Sequence, residues 1–326
     1  MHGDGSLPGD GQVRVVGVDL GGTKIAGALV GSDGRGGDVL TVPTPADSGP
    51  AALLDAVARL VSRLAATVEG PGSVRGVGIG TAGVVDVGAG MILSATDVLP
   101  GWTGTAVVDG LRSRLAGSLD PGVRIHVQND VDAHAAGEAW LGAAAGLDDV
   151  LLVAVGTGVG GAVVRNGVVL RGAHHVAGEI GHLPVPGAEG LRCSCGRTGH
   201  LEALASGLSL HRRYVALGGS GTGNAHEVFS RAASGDALAV RAVQESGTAV
   251  GRALAGAVTL LDPDAVVVSG GVAGSGEMWW QAMESTLRAE LIDPLAGIPV
   301  LRPLLGARSA VVGAARGALD LLEEKP

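Results

Sequence analysis

Apolar and polar positions along the chain alternate between short β-like runs and stretches of helical spacing. Val13–Val18 alternates weakly and is rich in β-branched residues. It runs into Asp19-Leu20-Gly21-Gly22-Thr23-Lys24, and Ile25–Val30 resumes as an apolar run. This predicts a strand, a tight turn and a return strand. Ala51–Val68 carries Leu, Val and Ala at helical spacing. Val74–Ile79 and Ile125–Gln128 read as buried strands. The second ends at Asn129-Asp130, with a helix predicted from Val131 to Leu141.

The opening pattern then recurs. Val150–Val155 is an apolar strand, Gly156-Thr157-Gly158-Val159-Gly160-Gly161 turns, and Ala162–Val169 returns around Asn166-Gly167. Two hairpins, each with a Thr in a glycine turn, predict an internal duplication. A third glycine turn, Gly270-Gly271, follows the strand Ala265–Ser269 and leads into a helix over Met278–Leu291. A last helix covers Ala310–Leu322. The chain therefore reads as two α/β lobes, residues 12–128 and 129–309, with the final helix (310–323) returning to the first lobe. The segment His174–His200 is a long polar loop, and such a loop inside a compact domain is usually functional.

Composition supports this division. At 326 residues the chain exceeds what one core usually holds. Apolar residues make up 46% and charged residues 17%, so a sizeable core is expected. With one Phe, one Tyr and four Trp, that core must be built from Val, Leu and Ala. The net charge of −9 argues against a nucleic-acid surface, which needs clustered Lys and Arg. No apolar run is long enough to span a bilayer, and the polar, Gly-rich start lacks the pattern of a signal peptide. The cytoplasm is the expected compartment. The two cysteines, Cys193 and Cys195, are separated by one residue, which suits a metal better than a structural disulfide.

The 58 glycines make glycine motifs match by chance, so each needs its context. Gly156-x-Gly158-x-x-Gly161 and Gly78-x-Gly80-x-x-Gly83 both fit the dinucleotide fingerprint. That fingerprint requires a following helix to receive the pyrophosphate, and β-like segments follow both. No Walker A motif surrounds Lys24. What remains is a glycine turn between two strands, whose N–H groups can converge on an anion. On this reading Gly21, Gly22, Thr23, Lys24, Gly156, Thr157, Gly158, Gly160, Gly270 and Gly271 bind phosphate. Asp19, at the end of its strand, binds Mg²⁺ directly or through water. The alternative for any single turn is a plain hairpin.

These residues resemble the ROK kinases (repressors, uncharacterised frames and sugar kinases) of the actin-like, hexokinase-like superfamily. The resemblance rests on Asp19–Lys24, Gly80-Thr81-Ala82-Gly83-Val84-Val85-Asp86, Leu99-Pro100-Gly101-Trp102, Asn129-Asp130 and Gly156–Gly161. It continues through Gly178-Glu179-Ile180-Gly181-His182, Cys193-x-Cys195-Gly196 and Ser269-Gly270-Gly271-Val272. It implies a two-lobed actin-like (ribonuclease H-like) α/β fold with a cleft between the lobes. The implied activity is ATP-dependent phosphorylation of a hexose or amino-hexose hydroxyl, preferably at C6. Asp130 is implied as the base and sugar contact, with Asn129, Glu179, His182, Glu202 and Gly83 as further sugar contacts. Phosphoryl transfer fits this set, because it is mostly positioning and charge stabilisation. A carboxylate at a helix N-terminus is expected to favour its charged form; an N-cap is the other role open to Asp130.

The chain departs from the family pattern twice. Where the usual third cysteine stands, it has His200. The expected ligand set is then His182, Cys193, Cys195 and His200, a Cys₂His₂ set suited to structural zinc, with His174 and His175 as rival ligands. Asp97 stands where Asn is frequent, and reads as a solvated loop charge rather than a contact to an amino sugar. A sugar-sensing transcriptional regulator, another branch of the family, would carry an N-terminal helix-turn-helix; residues 1–12 alone precede the first strand and the chain is acidic. A catalytically silent sugar-binding protein would not need Asp130 and both phosphate turns. The sugar, and ATP against polyphosphate as donor, stay open. By resemblance, a homodimer or higher homo-oligomer is expected.

Overall fold

The structure, a computed structural model, describes residues 13–68, 73–96, 98–221 and 223–324. Asp97 and residue 12 lie outside them. The elements in chain order are β1 (Arg14–Leu20), β2 (Lys24–Gly31), β3 (Leu40–Pro43), α1 (Gly49–Ala65), β4 (Gly76–Thr81), β5 (Val84–Asp86), β6 (Met91–Ser94), α2 (Val107–Leu115), β7 (Arg124–Asn129) and α3 (Asp130–Leu141). They continue with β8 (Val150–Val155), β9 (Val159–Arg165), β10 (Val168–Val169), α4 (Glu202–Ala205), α5 (Gly207–Ala216), α6 (Ala225–Ala233) and α7 (Ala237–Leu261). The chain closes with β11 (Ala265–Ser269), α8 (Glu277–Glu290), β12 (Val300–Leu301) and α9 (Ser309–Glu323). Among the described residues, no helix is long and apolar enough to cross a membrane.

Two five-stranded sheets share one topology. Their orders are β3-β2-β1-β4-β7 and β10-β9-β8-β11-β12. In each, the first strand pairs antiparallel with the second and parallel with the fourth in sequence. This repeated plan is what a duplication predicts. No helix follows either glycine fingerprint: Gly78 and Gly80 lie inside β4, and β9 begins at Val159.

The chain divides into two compact units. The first holds the residues up to Gly146, Arg171–Val176 and those from Leu304 onward; the second holds Leu147–Leu170 and Ala177–Pro303. The division therefore falls at Gly146 rather than near residue 128. The cause is α3, which packs on α9. A Cβ on Gly137 would lie 2.1 Å from the Ser309 carbonyl, and one on Gly313 would lie 1.7 Å from the Ala133 carbonyl. Only glycines allow this approach, and it keeps α3 with the first sheet. Glu138 adds a polar fastening. The residue is 1% exposed, and its carboxylate accepts from Ser309 Oγ (2.6 Å) and from the N–H groups of Ala143, Leu304 and Leu305. Burial pushes its pKa up, but these hydrogen bonds win and hold it below the usual value.

The first unit buries Val16, Val18, Ile79 and Val127 against α1 and α2 on one sheet face, and Val15, Ala28 and Val30 against α9 on the other. The second unit builds its core from β8, β11 and the long helix α7, with Trp279 and Met283 of α8 packed onto it. The loop Ala177–Leu201 has little regular structure: a single 3₁₀ turn at Ile180–His182 and the bridges Pro184↔His200 and Arg192↔Thr198.

Candidate functional site

In the first unit the carboxyl ends of three parallel strands come level. Asp19 aligns with Gly80 and then Gln128; Leu20 aligns with Thr81 and then Asn129. Ligands in open α/β sheets bind at such ends. The turn after β1 is tight: Gly21 N–H donates to Lys24 O at 3.1 Å, and Thr44 braces it through Oγ1 to Gly21 O at 2.7 Å. Thr23 and Lys24 are exposed there. At the end of β7, Asn129 is the N-cap of α3. Its oxygen accepts from Val131 N and Asp132 N, and its amide donates to the Gly83 carbonyl at 2.9 Å. The cap role weighed for Asp130 thus falls to Asn129, and Asp130 is the first helical residue.

The electrostatics of Asp130 differ from the sequence expectation. Burial pushes its pKa above the ordinary carboxylate value, against hydrogen bonds from Val131 N–H, its own N–H and Asn129. Desolvation outweighs the helix N-terminus, which makes Asp130 a stronger base than an exposed carboxylate. Burial likewise pushes Asp19 up to about 6; the Asp130 charge adds to this and Lys24 opposes it. Asp132 is also raised, by burial first, while Arg171 pairs with it and with Gln128. No local pattern marks Arg171, because its partners are 39 and 43 positions away.

In the second unit, the Gly156-Thr157-Gly158 turn closes with Gly156 N–H donating to Gly158 O at 2.9 Å. The β11 end lies beside it: Val272 N–H donates to Val155 O at 2.9 Å, and a Cβ on Gly156 would lie 3.9 Å from Gly271 N. Gly270 has φ +99°, and a Cβ there would lie 2.3 Å from the Val155 carbonyl. Glycine is required on both counts. Gly160 is in β9, paired with Ala154, so it stands beyond the turn.

The loop gathers the expected metal set. Donor atoms of His182, Cys193, Cys195 and His200 all lie within 4.8 Å of one another. Cys193 Sγ is 3.6 Å from His182 Nδ1, and Cys195 Sγ is 3.3 Å from His200 Nδ1. Zinc–ligand bonds of about 2.3 Å to sulfur and about 2.0–2.1 Å to nitrogen imply sulfur–nitrogen edges of about 3.5 Å in a tetrahedron. The donor set fits zinc. His174 and His175 are not in this cluster; His175 Nε2 is 4.0 Å from Asp86 Oδ1. His182 turns its other nitrogen, Nε2, toward Glu179 Oε2 at 3.8 Å. One ring thus faces both the His/Cys cluster and the Glu179 carboxylate. Glu202 accepts from Val159 N–H at 3.1 Å and meets the Ser194 hydroxyl. Ser194, between the two cysteines, carries no local mark of this contact, since Glu202 is eight positions away.

The chain is similar to known proteins over nearly its whole length. Residues 15–323 match the ROK family. The glucokinase of Halalkalibacterium halodurans is 32% identical over 315 residues, spanning 91% of this chain and 92% of that protein. The N-acetylmannosamine kinase of Shigella flexneri is 35% identical over 279 residues, 85% of this chain and 89% of that protein. The crystal structure of a ROK family glucokinase from Streptomyces griseus in complex with glucose and AMPPNP matches with a TM-score of 0.77 at 32% identity, covering 93% of this chain and 98% of that one. With matching motifs, fold and near-complete coverage, this chain belongs to the ROK family and has its actin-like ATPase fold.

Proposed function

We propose that this chain is an ATP-dependent sugar kinase of the hexokinase type, which transfers the γ-phosphoryl group to a hydroxyl, at C6, of glucose or of an amino- or N-acetylated hexosamine. The observation that carries this reading is Asp130: a carboxylate at the carboxyl ends of β1, β4 and β7, held by Asn129 and raised in basicity by burial. Ionised Asp130 accepts the proton of the attacking hydroxyl as the oxygen bonds to phosphorus. Asn129, Glu179, His182, Glu202 and the Gly83 backbone are assigned to the remaining sugar groups, which need several polar partners.

The turns at Gly21–Lys24, Gly156–Gly158 and Gly270–Gly271 are assigned to the phosphates, through backbone N–H groups and the hydroxyls of Thr23 and Thr157. Mg²⁺, when bound with ATP, neutralises phosphate charge, and Asp19 is the carboxylate to hold it, directly or through water. His182, Cys193, Cys195 and His200 are assigned to one structural zinc, since four protein donors leave no open position. The Glu179 and Glu202 side chains adjoin that cluster, so the metal orders the sugar ligands. The cytoplasm is the matching compartment, supplying ATP and reduced thiols, and a homodimer or higher homo-oligomer is the matching assembly. The test is sugar-dependent ADP release from ATP and Mg²⁺ across a panel of glucose, N-acetylglucosamine, N-acetylmannosamine and free amino sugars. No ADP release with any of them would overturn the reading.

A further inference from the structure

Glu202 has both carboxylate oxygens engaged inside the second unit. Oε2 accepts the N–H of Val159 at 3.1 Å. Oε1 meets the hydroxyl of Ser194 and lies 3.7 Å from Cys193 Sγ. Val159 is where the 156–158 turn becomes β9. The residue before it, Gly158, faces the same carboxylate: a Cβ there would lie 2.8 Å from Oε2. One side chain therefore spans from the cysteine loop to the phosphate turn.

We propose that Glu202 is a positioning residue for the phosphate turn, and that Ser194 holds Glu202 in that role, so that the cysteine loop sets affinity for ATP as well as for sugar. This rests on the kinase reading above. The physical reason is preorganisation. The Gly156 end of the turn is tied by its N–H to Gly158 O at 2.9 Å and by Gly207 N–H to its carbonyl at 2.8 Å, and the N–H groups of the turn bind phosphate well only if the Gly158 end is held as well. A charge-assisted bond to Val159 N–H pins the end of the turn, and the missing Cβ at Gly158 lets the carboxylate lie against it. The carboxylate can do this only while its other oxygen is fixed. The Ser194 hydroxyl fixes it from between two metal ligands.

Ser194→Ala isolates the link. Ser194 is exposed, and its removal leaves all four metal donors and Glu202 in place. Zinc content, KM for ATP, KM for sugar, kcat, and the Kd for AMPPNP without sugar should be measured for wild type, Ser194→Ala and Ser194→Thr. The expected result is wild-type zinc content, a rise of roughly tenfold in KM for ATP and in the AMPPNP Kd, the size of one lost hydrogen bond, and recovery in Ser194→Thr. An active Ser194→Ala protein with unchanged AMPPNP affinity, whether or not its sugar KM rises, overturns the link and leaves the kinase reading standing. A wild-type protein that neither turns over nor binds AMPPNP takes down both.

Discussion

The side-chain amide of Asn129 donates to the carbonyl of Gly83 at 2.9 Å, while its oxygen caps α3 through Val131 N and Asp132 N. The loop after β4 and the first turn of α3 are therefore tied by one side chain, and Asp130 sits at the knot. Asn129→Ala removes both ties. A lost N-cap alone costs about 1 kcal/mol, so a lower urea midpoint is expected, together with a kcat loss, as Asp130 is no longer fixed. An unchanged kcat would show that Asp130 does not depend on this tie.

Asp130→Asn should abolish most turnover, by roughly 10²–10⁴-fold in kcat, with folding and AMPPNP binding retained. Because the ionised form is needed and burial raises the pKa, activity should fall as pH falls through a value above that of an ordinary carboxylate. Near-wild-type kcat in the variant removes Asp130 from the role of base.

Asp19 carries a cost at neutral pH. Its folded pKa of about 6 lies above the ordinary 3.8, so its stabilising share is complete below pH 3.8 and is lost as pH rises through about 6. Asp19→Asn should thus raise the melting temperature at pH 8 relative to wild type, without added Mg²⁺, and raise it less at pH 5. The same variant should weaken Mg·ATP binding. Equal shifts at both pH values would contradict the buried, destabilised charge.

His126 works in the opposite sense. Burial first, then Arg171, lowers its pKa to about 4 from 6.5, so the folded protein holds it neutral. The unfolded chain binds the proton, and stability should decline as pH falls from 6.5 to about 4. Urea titrations of His126→Gln should show a smaller loss across that window than wild type. An identical loss in both would assign the acid sensitivity elsewhere.

The purified protein should contain about one zinc per chain. His200→Cys should keep zinc and activity, and His200→Ala should lose metal and weaken sugar binding. The reason is that metal binding supplies folding energy to a loop with little regular structure. An active, zinc-free wild-type protein on metal analysis would leave Cys193 and Cys195 as plain thiols.

Two of the glycine turns assigned to phosphate should respond differently to a methyl group. On sequence alone Gly22 and Gly158 look equivalent. In the fold, a Cβ on Gly22 would lie 2.6 Å from Val98 Cγ1, whereas one on Gly158 would lie 2.8 Å from the Glu202 carboxylate. Gly22→Ala should raise KM for ATP and spare sugar affinity; Gly158→Ala should impair both. Steady-state kinetics with each substrate varied in turn distinguishes them, and matching profiles would remove Glu202 from the effect.

The sequence by itself determined the longer strands, the glycine turns and which His and Cys residues the cysteine loop would gather. Continuous apolar runs such as Val150–Val155 are local signals, and the roles proposed for Asp130, Cys193 and Cys195 start from residue type and spacing. The 25-residue helix α7 is not among the helices expected from the sequence, although its buried positions, such as Ala239, Ala242, Val243, Ser246, Val250, Leu254 and Val258, recur at helical spacing. Only the tertiary structure decided what depends on desolvation or on contact between distant positions. Burial reversed the expected shift of Asp130, and glycines at 137 and 313 brought α3 onto α9 and so moved the division of the chain. Ser194 and Arg171 gained meaning only when folding set a carboxylate against each. Solvation and close approach are properties of the packed chain, and no local pattern encodes them.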